Sequence, residues 1–377
     1  IGFYTIVLIS WAEYRLESRP SVVVTSPTQE AHMSTMRAMV LPRTMTVTEG
    51  SEPLEPRDLP VPRPGPGEVL IRVSACGVCH TELDEIEGRT APPEFPVVPG
   101  HEVVGRVEET GDGATMHRIG DRVGVGWVYD SCGKCAYCKS GRENLCPEFT
   151  ATGRDANGGY AEYMTAPEAS AYPIPEVFGD AEAAPLLCAG GVGYRSLERT
   201  ALSDGETLGF FGLGASAHLV VQMARYEYPN ARIFVFTRSE EKQGFARHLG
   251  ADWAAAPGTG PPAPLDAIID TTPVWQPIEQ GLRMLAPGGR MVINAIRKED
   301  ADKSTLLEID YGRHLWMEKE LTTVANVTRG DIRRALEVAA RIPIHPTVET
   351  YTLEEANRAL VELKAGRGRG ARVLAIA

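Results

Sequence analysis

The spacing of apolar and polar positions along the chain changes character near residue 180. Before that point, short segments that alternate or run apolar are interrupted by Gly and Pro, which is typical of β-strands joined by turns. This part of the sequence therefore predicts an all-β domain of barrel type. Its predicted strands cover residues 36–41, 68–74, 102–108, 121–127 and 161–165.

From about residue 181 onward, strand-like and helix-like patterns alternate. Such alternation predicts a parallel sheet with helices on both faces. Near the end of the chain, Thr352 and Glu355 have the spacing of a capping box at the start of a helix. The predicted strands are 207–211, 232–236, 265–270, 290–295, 321–325 and 372–376, and the predicted helices are 216–225, 241–249, 331–341 and 352–365.

The first 35 residues follow neither pattern. An apolar stretch at 1–12 is too short to span a bilayer, and a polar, Pro-containing run follows it. The stretch could be the core of a signal peptide, although no basic segment precedes it and no clear small-residue cleavage site follows it. We expect residues 1–35 to form an extension outside the fold.

Length and charge narrow the classes of function. The 377 residues suffice for two domains, and 43% hydrophobic with 23% charged residues is typical of a globular protein. A formal net charge of -12 without a Lys/Arg tract argues against a nucleic-acid partner, since phosphate binding needs a cationic surface. No segment predicts a membrane span, and a small-molecule substrate is the partner we expect.

Four of the seven cysteines form one motif with the spacing of a metal site. Four thiolates within fifteen residues can surround one Zn²⁺ as a tetrahedron, which leaves no position for a substrate and indicates a structural site. A zinc module for nucleic acid is the alternative, and the acidic chain argues against it. Such clustering also favours metal thiolates in a reducing compartment over disulfides, so we expect a cytoplasmic protein. The motif consists of Cys132, Cys135, Cys138 and Cys146.

A second metal site is suggested by Cys79, His101 and Cys188. Two thiolates and one imidazole would leave an open fourth position, as a catalytic zinc requires. Spacing alone does not connect these three residues. Cys76-x-x-Cys79-His80 also matches the attachment pattern of haem c and a redox dithiol. Haem attachment would require export, and a redox dithiol usually opens a helix in a small α/β domain.

A Gly-rich loop follows the predicted strand 207–211. Gly212-x-Gly214-x-x-Ala217 lies between a strand and a helix, which is the context that a dinucleotide-binding loop requires. Gly212 would make the tight turn, Gly214 would admit the pyrophosphate, and Ala217 would let the helix pack closely on the sheet.

The next strand ends in Thr237-Arg238-Ser239, without the carboxylate that would bind a ribose 2′-hydroxyl. Arg238, with Lys242 nearby, could instead pair with a 2′-phosphate, which favours NADP over NAD. The alternative is that Arg238 stacks on the adenine or points into solvent.

Together these motifs resemble the zinc-containing alcohol dehydrogenases of the medium-chain dehydrogenase/reductase superfamily, from about residue 36 to residue 377. The motifs that carry the resemblance are Gly77-Val78-Cys79-His80-Thr81, Gly100-His101-Glu102, the four-cysteine motif, Cys188-Ala189-Gly190 and the Gly-rich loop.

The resemblance implies an α/β plus β fold, in which a GroES-like catalytic domain carries an inserted Rossmann domain. It implies a catalytic domain at 36–188 with a zinc lobe at 132–146, a cofactor domain at 189–323, and a segment at 324–377 that returns to the catalytic domain.

The resemblance also implies roles for individual residues. Cys79, His101 and Cys188 would hold a catalytic zinc, with Glu102 as a transient ligand. Thr81 would hydrogen-bond the alcohol, and His80 would lie near the cofactor phosphates. Two Zn²⁺ per chain and a homodimer or homotetramer are implied as well.

Two further positions depart from the pattern of this family. Glu82 stands where the family usually has an Asp that orients the ligand His, and the longer Glu can serve in the same role. Asp84 stands where many members carry a His that passes a proton to solvent. The proton route could therefore use Asp84, water or only the cofactor ribose.

The predicted activity is hydride transfer between a primary alcohol and NAD(P), with the aldehyde as the product. A zinc-dependent dehydrogenase of polyols or secondary alcohols is the alternative within the enzyme class. Cys188 and Glu102 argue against it, because polyol members usually have a third ligand other than Cys. A non-catalytic redox sensor that binds a dinucleotide is a minor alternative.

Overall fold

A computed structural model describes residues 34–342 and 344–376. The predicted extension at 1–35, including the signal-peptide alternative, lies outside the described residues except for its last two positions. The first strand begins at Thr35, one residue earlier than predicted, and the carbonyl of Ser34 accepts a hydrogen bond from the backbone of Val61. No helix in the described ranges is both long and apolar enough to cross a bilayer.

The strands of the described chain are numbered in order of sequence. They are β1 (Thr35–Val40), β2 (Glu55–Pro60), β3 (Glu68–Val78), β4 (Val103–Thr110), β5 (Arg122–Val125), β6 (Val128–Asp130), β7 (Thr150–Ala151), β8 (Tyr163–Pro167), β9 (Ala171–Pro173), β10 (Thr207–Phe211), β11 (Arg232–Phe236), β12 (Trp253–Ala255), β13 (Leu265–Asp270), β14 (Leu285–Ile293), β15 (Glu320–Thr323), β16 (Val348–Thr352) and β17 (Ala371–Ala375).

The α-helices are numbered in the same way, and short 3-10 turns connect several of them. They are α1 (His80–Ile86), α2 (Ala136–Lys139), α3 (Asp180–Ala183), α4 (Ala189–Thr200), α5 (Ala215–Glu227), α6 (Glu240–His248), α7 (Gln276–Met284), α8 (Arg329–Arg341) and α9 (Ala356–Lys364).

The β-rich part is built around β3. This eleven-residue strand pairs antiparallel with β4, β8 and β17, and β4 continues through β5 to β9. Apolar side chains of β3 such as Ile71 and Val73 are buried, which fixes the strand at the centre of the core. The C-terminal strand β17 thus pairs with the β-rich part of the chain.

The second part of the chain forms a six-stranded parallel sheet. Its strand order is β12-β11-β10-β13-β14-β15, which is 3-2-1-4-5-6 when its strands are numbered along the chain, the order of a Rossmann fold. In a sheet of this kind ligands bind beyond the carboxyl ends of the strands, where the order reverses between β10 and β13. The Gly-rich loop follows β10 at that point. The fold class predicted from the sequence is confirmed.

Most boundaries fall within two or three residues of those predicted, and four segments differ more. Strand β3 continues four residues beyond its predicted end at residue 74, and β14 begins five residues before its predicted start at residue 290. The predicted strand 121–127 is divided into β5 and β6, because Gly126 and Trp127 interrupt the pairing. The predicted helix 352–365 begins as a 3-10 turn and becomes α-helical at Ala356, although the capping box between Thr352 and Glu355 is present. The limits proposed for the domains remain a prediction.

Candidate active site and metal centres

The junction between β3 and α1 places three of the predicted residues. Cys79 is the residue that precedes the helix, and its backbone N–H donates to Glu82 Oε2 at 2.8 Å. A Glu at the third helical position commonly closes the first turn in this way. Thr81 is almost fully buried in the same turn, with its Oγ1 3.6 Å from Cys79 Sγ.

His101 and Glu102 lie in the loop that enters β4, and both are buried. His101 Nδ1 is 2.6 Å from Glu82 Oε1, so Glu82 uses one oxygen on the helix and the other on the imidazole. Glu102 lies against Gly77, where a Cβ atom would come within 1.8 Å of Glu102 Oε2. A glycine at position 77 is therefore needed for the carboxylate to enter the site.

Cys188 reaches the same place from another part of the chain. It lies between a 3-10 turn at Ala184–Leu187 and the start of α4, at the point where the chain enters the parallel sheet. The ligand atoms of Cys79, His101, Glu102 and Cys188 all lie within 4.8 Å of one another. The structure thus brings together Cys79, His101 and Cys188, which the sequence could not connect by spacing, with Glu102 beside them.

Charge in this cluster is poorly balanced without a cation. A hydrogen bond from the Cys188 thiol, together with His101, holds the pKa of Cys79 well below its usual value, and the same bond and burial raise the pKa of Cys188. Burial also raises the pKa of Glu102 and that of Glu85. Both carboxylate oxygens of Glu85 are buried without a hydrogen-bond partner among the described residues. A metal ion bound here would take up both sulphurs as thiolates, with release of their protons.

The donor atoms fit a zinc ion of the catalytic type. His101 Nε2 is buried and lacks a hydrogen-bond partner within the described part of the chain, while Nδ1 faces Glu82. A ligand imidazole has this arrangement, with one nitrogen for the metal and a carboxylate on the other. Two sulphurs and one nitrogen match the ligand preference of Zn²⁺, and Glu102 offers a fourth donor.

The four-cysteine motif forms a separate compact lobe. Its Sγ–Sγ distances of 3.5, 3.6 and 3.9 Å are close to the separation of about 3.8 Å that four sulphurs at 2.3 Å from a tetrahedral zinc would have. Backbone N–H groups of Lys134 and Cys135 lower the pKa of Cys132 to about 7. The lobe therefore fits one ion with four sulphur ligands. Those ligands are Cys132, Cys135, Cys138 and Cys146.

The Gly-rich loop has the geometry that its sequence predicted. Gly212 has φ +88° directly after β10, and Gly214 precedes α5. A Cβ atom at Gly214 would meet nothing within 4 Å, so the backbone here is open to a ligand. Ala217 is fully buried between α5 and the sheet.

One cleft connects this loop with the catalytic cluster. A cavity of about 420 Å³ is lined by Cys79, His80 and Glu102 at one end and by Arg238 and Lys242 at the other. Thr237 is buried at the end of β11, and Ser239 accepts a hydrogen bond from the Lys242 N–H at the start of α6. A second cavity of about 600 Å³, beside the four-cysteine lobe, contains none of the predicted catalytic or cofactor-binding residues.

Asp84, considered from the sequence as a proton relay, is held by two arginines. Its Oδ1 accepts from Arg89 Nε at 2.6 Å and also contacts Arg297, which follows β14. The carboxylate is almost fully buried. Asp84 therefore joins α1 to the parallel sheet, and its contacts favour an anchoring role over proton transfer.

Three features of the site carried no recognised signal in the sequence. They are the buried Glu85, the contact of Arg297 with Asp84, and the cationic loop at 364–372 that borders the cleft. The repeated Gly-Arg-Gly-Arg-Gly of that loop is unusual enough to have marked it. For Glu85 and Arg297 the sequence offers no comparable pattern, because their partners are distant along the chain.

Comparison with known proteins places this fold and site in a family. Residues 65–176 match the family described as Alcohol dehydrogenase GroES-like domain. A Mycobacterium tuberculosis protein named "Probable alcohol dehydrogenase AdhA" is 44% identical over 330 residues, which cover 86% of this chain and 93% of the relative. The chain belongs to the zinc-dependent alcohol dehydrogenases of the medium-chain dehydrogenase/reductase superfamily.

Solved structures agree with this assignment. A Sinorhizobium meliloti 1021 protein described as a zinc-binding dehydrogenase and bound to NADP has a TM-score of 0.80 and 27% identity, covering 91% of this chain and 99% of its own. A structure named NAD-dependent alcohol dehydrogenase has a TM-score of 0.81 and 25% identity, covering 91% of this chain and all of its own. The protein is thus an alcohol dehydrogenase that uses zinc and a nicotinamide dinucleotide to oxidise or reduce a small molecule.

Proposed function

We propose that this alcohol dehydrogenase interconverts a primary alcohol and its aldehyde at the cluster formed by Cys79, His101, Glu102 and Cys188. The observation that supports this most directly is the convergence of four ligand atoms within 4.8 Å at one end of the cleft. Cys188 and Glu102 are the residues by which the alcohol branch is distinguished from the polyol branch.

In this proposal each residue of the cluster has a distinct role. Cys79, His101 and Cys188 hold the zinc, and Glu102 approaches it as a fourth, exchangeable donor. Zinc, when bound, supplies a Lewis acid that lowers the pKa of an alcohol. Thr81, buried 3.6 Å from Cys79 Sγ, accepts the hydrogen bond of the alcohol hydroxyl.

A second zinc in the four-cysteine lobe completes a content of two ions per chain. The sulphur separations support it, and four thiolates leave no position for a substrate. All seven cysteines of the described chain are free thiols. Two thiolate clusters in one chain support a reducing compartment, and we propose the cytoplasm.

We propose NADP as the preferred dinucleotide, with its pyrophosphate at Gly212, Gly214 and Ala217 and near His80. The support lies at the far end of the cleft, where Arg238 and Lys242 line the cavity. Thr237 and Ser239, the neighbours of Arg238 in the chain, belong to the same proposed cofactor site. Guanidinium groups bind phosphate oxygens strongly, so two cations here favour a 2′-phosphate over a hydroxyl.

We further propose a homodimer or homotetramer joined through the edge strand β15. Seven of the fourteen large apolar side chains exposed in the described residues fall between 296 and 321, in this strand or in the segment that precedes it along the chain. An open strand edge with apolar neighbours is a surface that readily pairs with a second copy. The seven are Ile296, Leu307, Tyr311, Leu315, Trp316, Met317 and Leu321.

The proposed function is tested by absorbance of the reduced nicotinamide. Zinc-replete protein is assayed with primary, aromatic and secondary alcohols, polyols and the matching aldehydes, with NAD and NADP in parallel. We expect turnover of primary alcohols and aldehydes, with kcat/KM at least tenfold higher for NADP. Cys79→Ser and His101→Ala should lower kcat by at least about a thousandfold, because each removes a ligand of the catalytic ion.

Cys76→Ser serves as the matched control, since Cys76 is a buried cysteine of the same segment but belongs to neither metal cluster. Higher kcat/KM for polyols or secondary alcohols would replace the primary-alcohol assignment. Full activity of Cys79→Ser or His101→Ala would refute the proposed site. Dinucleotide binding without turnover of any substrate would favour the redox-sensor alternative.

A further inference from the structure

The loop at 364–372 places basic side chains beside the cofactor cleft. Although the chain has a formal net charge of -12, the cleft is bordered by several cations from both parts of the fold. Three of these cations already have acidic partners other than the residues at the start of α6. Arg297 contacts Asp84, Lys364 contacts Glu87, and Arg367 pairs with Glu49 at 3.0 Å.

Arg369 differs from the other cations, because its partner lies across the cleft. Its guanidinium contacts the carboxylate of Glu241, in the first turn of α6. Glu241 is the residue directly before Lys242, and Arg238 precedes the same helix. The side chains of Arg369 and Glu241 are both 59% exposed, so a ligand can reach them.

The backbone of the loop holds Arg369 in this position. Its N–H donates to Glu349 Oε1 at 3.0 Å. Gly368 has φ +76°, and a Cβ atom there would come within 2.4 Å of the Glu349 carboxylate. The absence of a side chain at Gly368 therefore leaves room for the Glu349 carboxylate to bind the backbone of the loop. The position of Arg369 at the edge of the cleft thus does not depend on its contact with Glu241.

We infer that Arg369, which lies on the opposite side of the cleft from Arg238 and Lys242, is a third cation of the site for the 2′-phosphate. Glu241 is the counter-ion of Arg369 until the phosphate displaces it. The inference rests on the proposed preference for NADP. A ribose at the end of β11 would present its 2′ substituent to the start of α6, where Arg238 and Lys242 lie. A phosphate dianion in that position gains a second guanidinium when Arg369 leaves Glu241.

The inference predicts opposite effects for the two partners. Arg369→Gln should weaken binding of the 2′-phosphate, because it removes one guanidinium. Glu241→Gln should strengthen that binding, because the guanidinium is no longer held by a carboxylate and a negative charge is removed. Neither change should affect a nucleotide that lacks the 2′-phosphate.

The test uses calorimetric titration of the zinc-replete protein with adenosine 2′,5′-bisphosphate and with 5′-AMP at low ionic strength. For the bisphosphate, we expect Arg369→Gln to raise Kd about tenfold, Arg369→Lys to restore part of the loss, and Glu241→Gln to lower Kd about threefold. Arg367→Gln, which changes a neighbouring arginine paired with Glu49, is the control and should leave both Kd values within twofold of wild type.

The outcomes separate the inference from the proposed function. Equal affinity of the wild-type protein for the two nucleotides would overturn the NADP preference itself. A wild-type preference for the bisphosphate that Arg369→Gln leaves unchanged would overturn only the role of Arg369. Equal weakening of both nucleotides by Arg369→Gln would mean that the arginine supports the loop and does not bind the 2′-phosphate.

Discussion

At the scale of single residues, the site depends on a few side chains whose size or length is decisive. Glu82 closes the first turn of α1 with one carboxylate oxygen and contacts His101 with the other. The shorter side chain of an Asp at this position would place its two oxygens at different distances from these partners. Gly77 leaves the space that Glu102 occupies. These contacts show how Glu82, at a position where the resemblance implied an Asp, orients the imidazole of His101.

His218 is a buried titratable residue at the cofactor cleft, and it leads to a prediction on pH. Burial lowers its pKa to about 4, and its Nδ1 is 3.2 Å from the carbonyl of Gly214. Between pH 6.5 and pH 4 the unfolded chain binds a proton that the folded chain does not. The imidazole therefore destabilises the fold as the pH falls through this range and has little effect above it.

We expect His218→Asn to remove this loss while keeping a donor for Gly214. Relative to wild type, the variant should gain about 2 kcal/mol in free energy of unfolding between pH 7.5 and pH 5. Urea unfolding of both proteins at the two pH values measures the difference, and metal loss on acidification affects both alike. A difference that does not change with pH would show that His218 can be protonated in the folded state.

At the scale of elements, the four-cysteine lobe contacts a segment at 325–329 that is distant along the chain. Glu143 Oε1 accepts from the backbone N–H of Arg329 at 2.6 Å, and the Asn144 side chain donates to the carbonyl of Ala325 at 2.7 Å. Its own helix, α2, has four residues and buries no side chain. Because the lobe has so little apolar burial, the proposed zinc ion would contribute directly to its stability.

The corresponding prediction concerns metal content. Cys138→Ser should lower the zinc content from two ions per chain to one and reduce the midpoint of thermal unfolding by about 5 °C or more, because a structural zinc contributes directly to folding. Elemental analysis of dialysed protein and thermal denaturation measure the two effects. Cys76→Ser, outside both clusters, should retain two ions, and equal zinc content in Cys138→Ser and wild type would contradict the assignment of this lobe.

At the scale of the whole molecule, the cleft exists because the β-rich part and the parallel sheet each contribute one wall. Asp84 with Arg297 and Arg369 with Glu241 link the two walls at different points. The opposite edge of the parallel sheet, β15, is a terminal strand whose side chains are mostly exposed. The proposed dinucleotide site and the proposed contact with a second copy therefore involve different parts of the parallel sheet.

The oligomer is predicted to depend on that second surface. Leu321→Lys places a charge on β15 and should raise the dissociation constant of the oligomer at least tenfold, since a charged edge disfavours strand pairing. Sedimentation of wild type and variant over a range of concentrations measures this change. Val177→Lys is the control, because it changes an apolar, exposed residue elsewhere and should leave the dissociation constant unchanged. A wild-type protein that is monomeric at every concentration would exclude the proposed assembly.

The sequence by itself predicted many of the strands and helices, the fold class and the class of enzyme. Strand and helix patterns and the Gly-rich loop depend on neighbours within a few residues, so local spacing was enough to identify them. The four-cysteine motif was equally local, because its ligands lie within fifteen residues. The fold class and the enzyme class followed from these motifs together and are confirmed.

Only the tertiary structure decided which distant residues meet. Cys79, His101 and Cys188 come from three separate segments, and no local pattern measures the distance between them. The same holds for the two arginines on Asp84 and for Arg369 against Glu241, which are 128 positions apart. Contacts between remote segments depend on how sheets and helices pack, and that packing is a property of the whole chain.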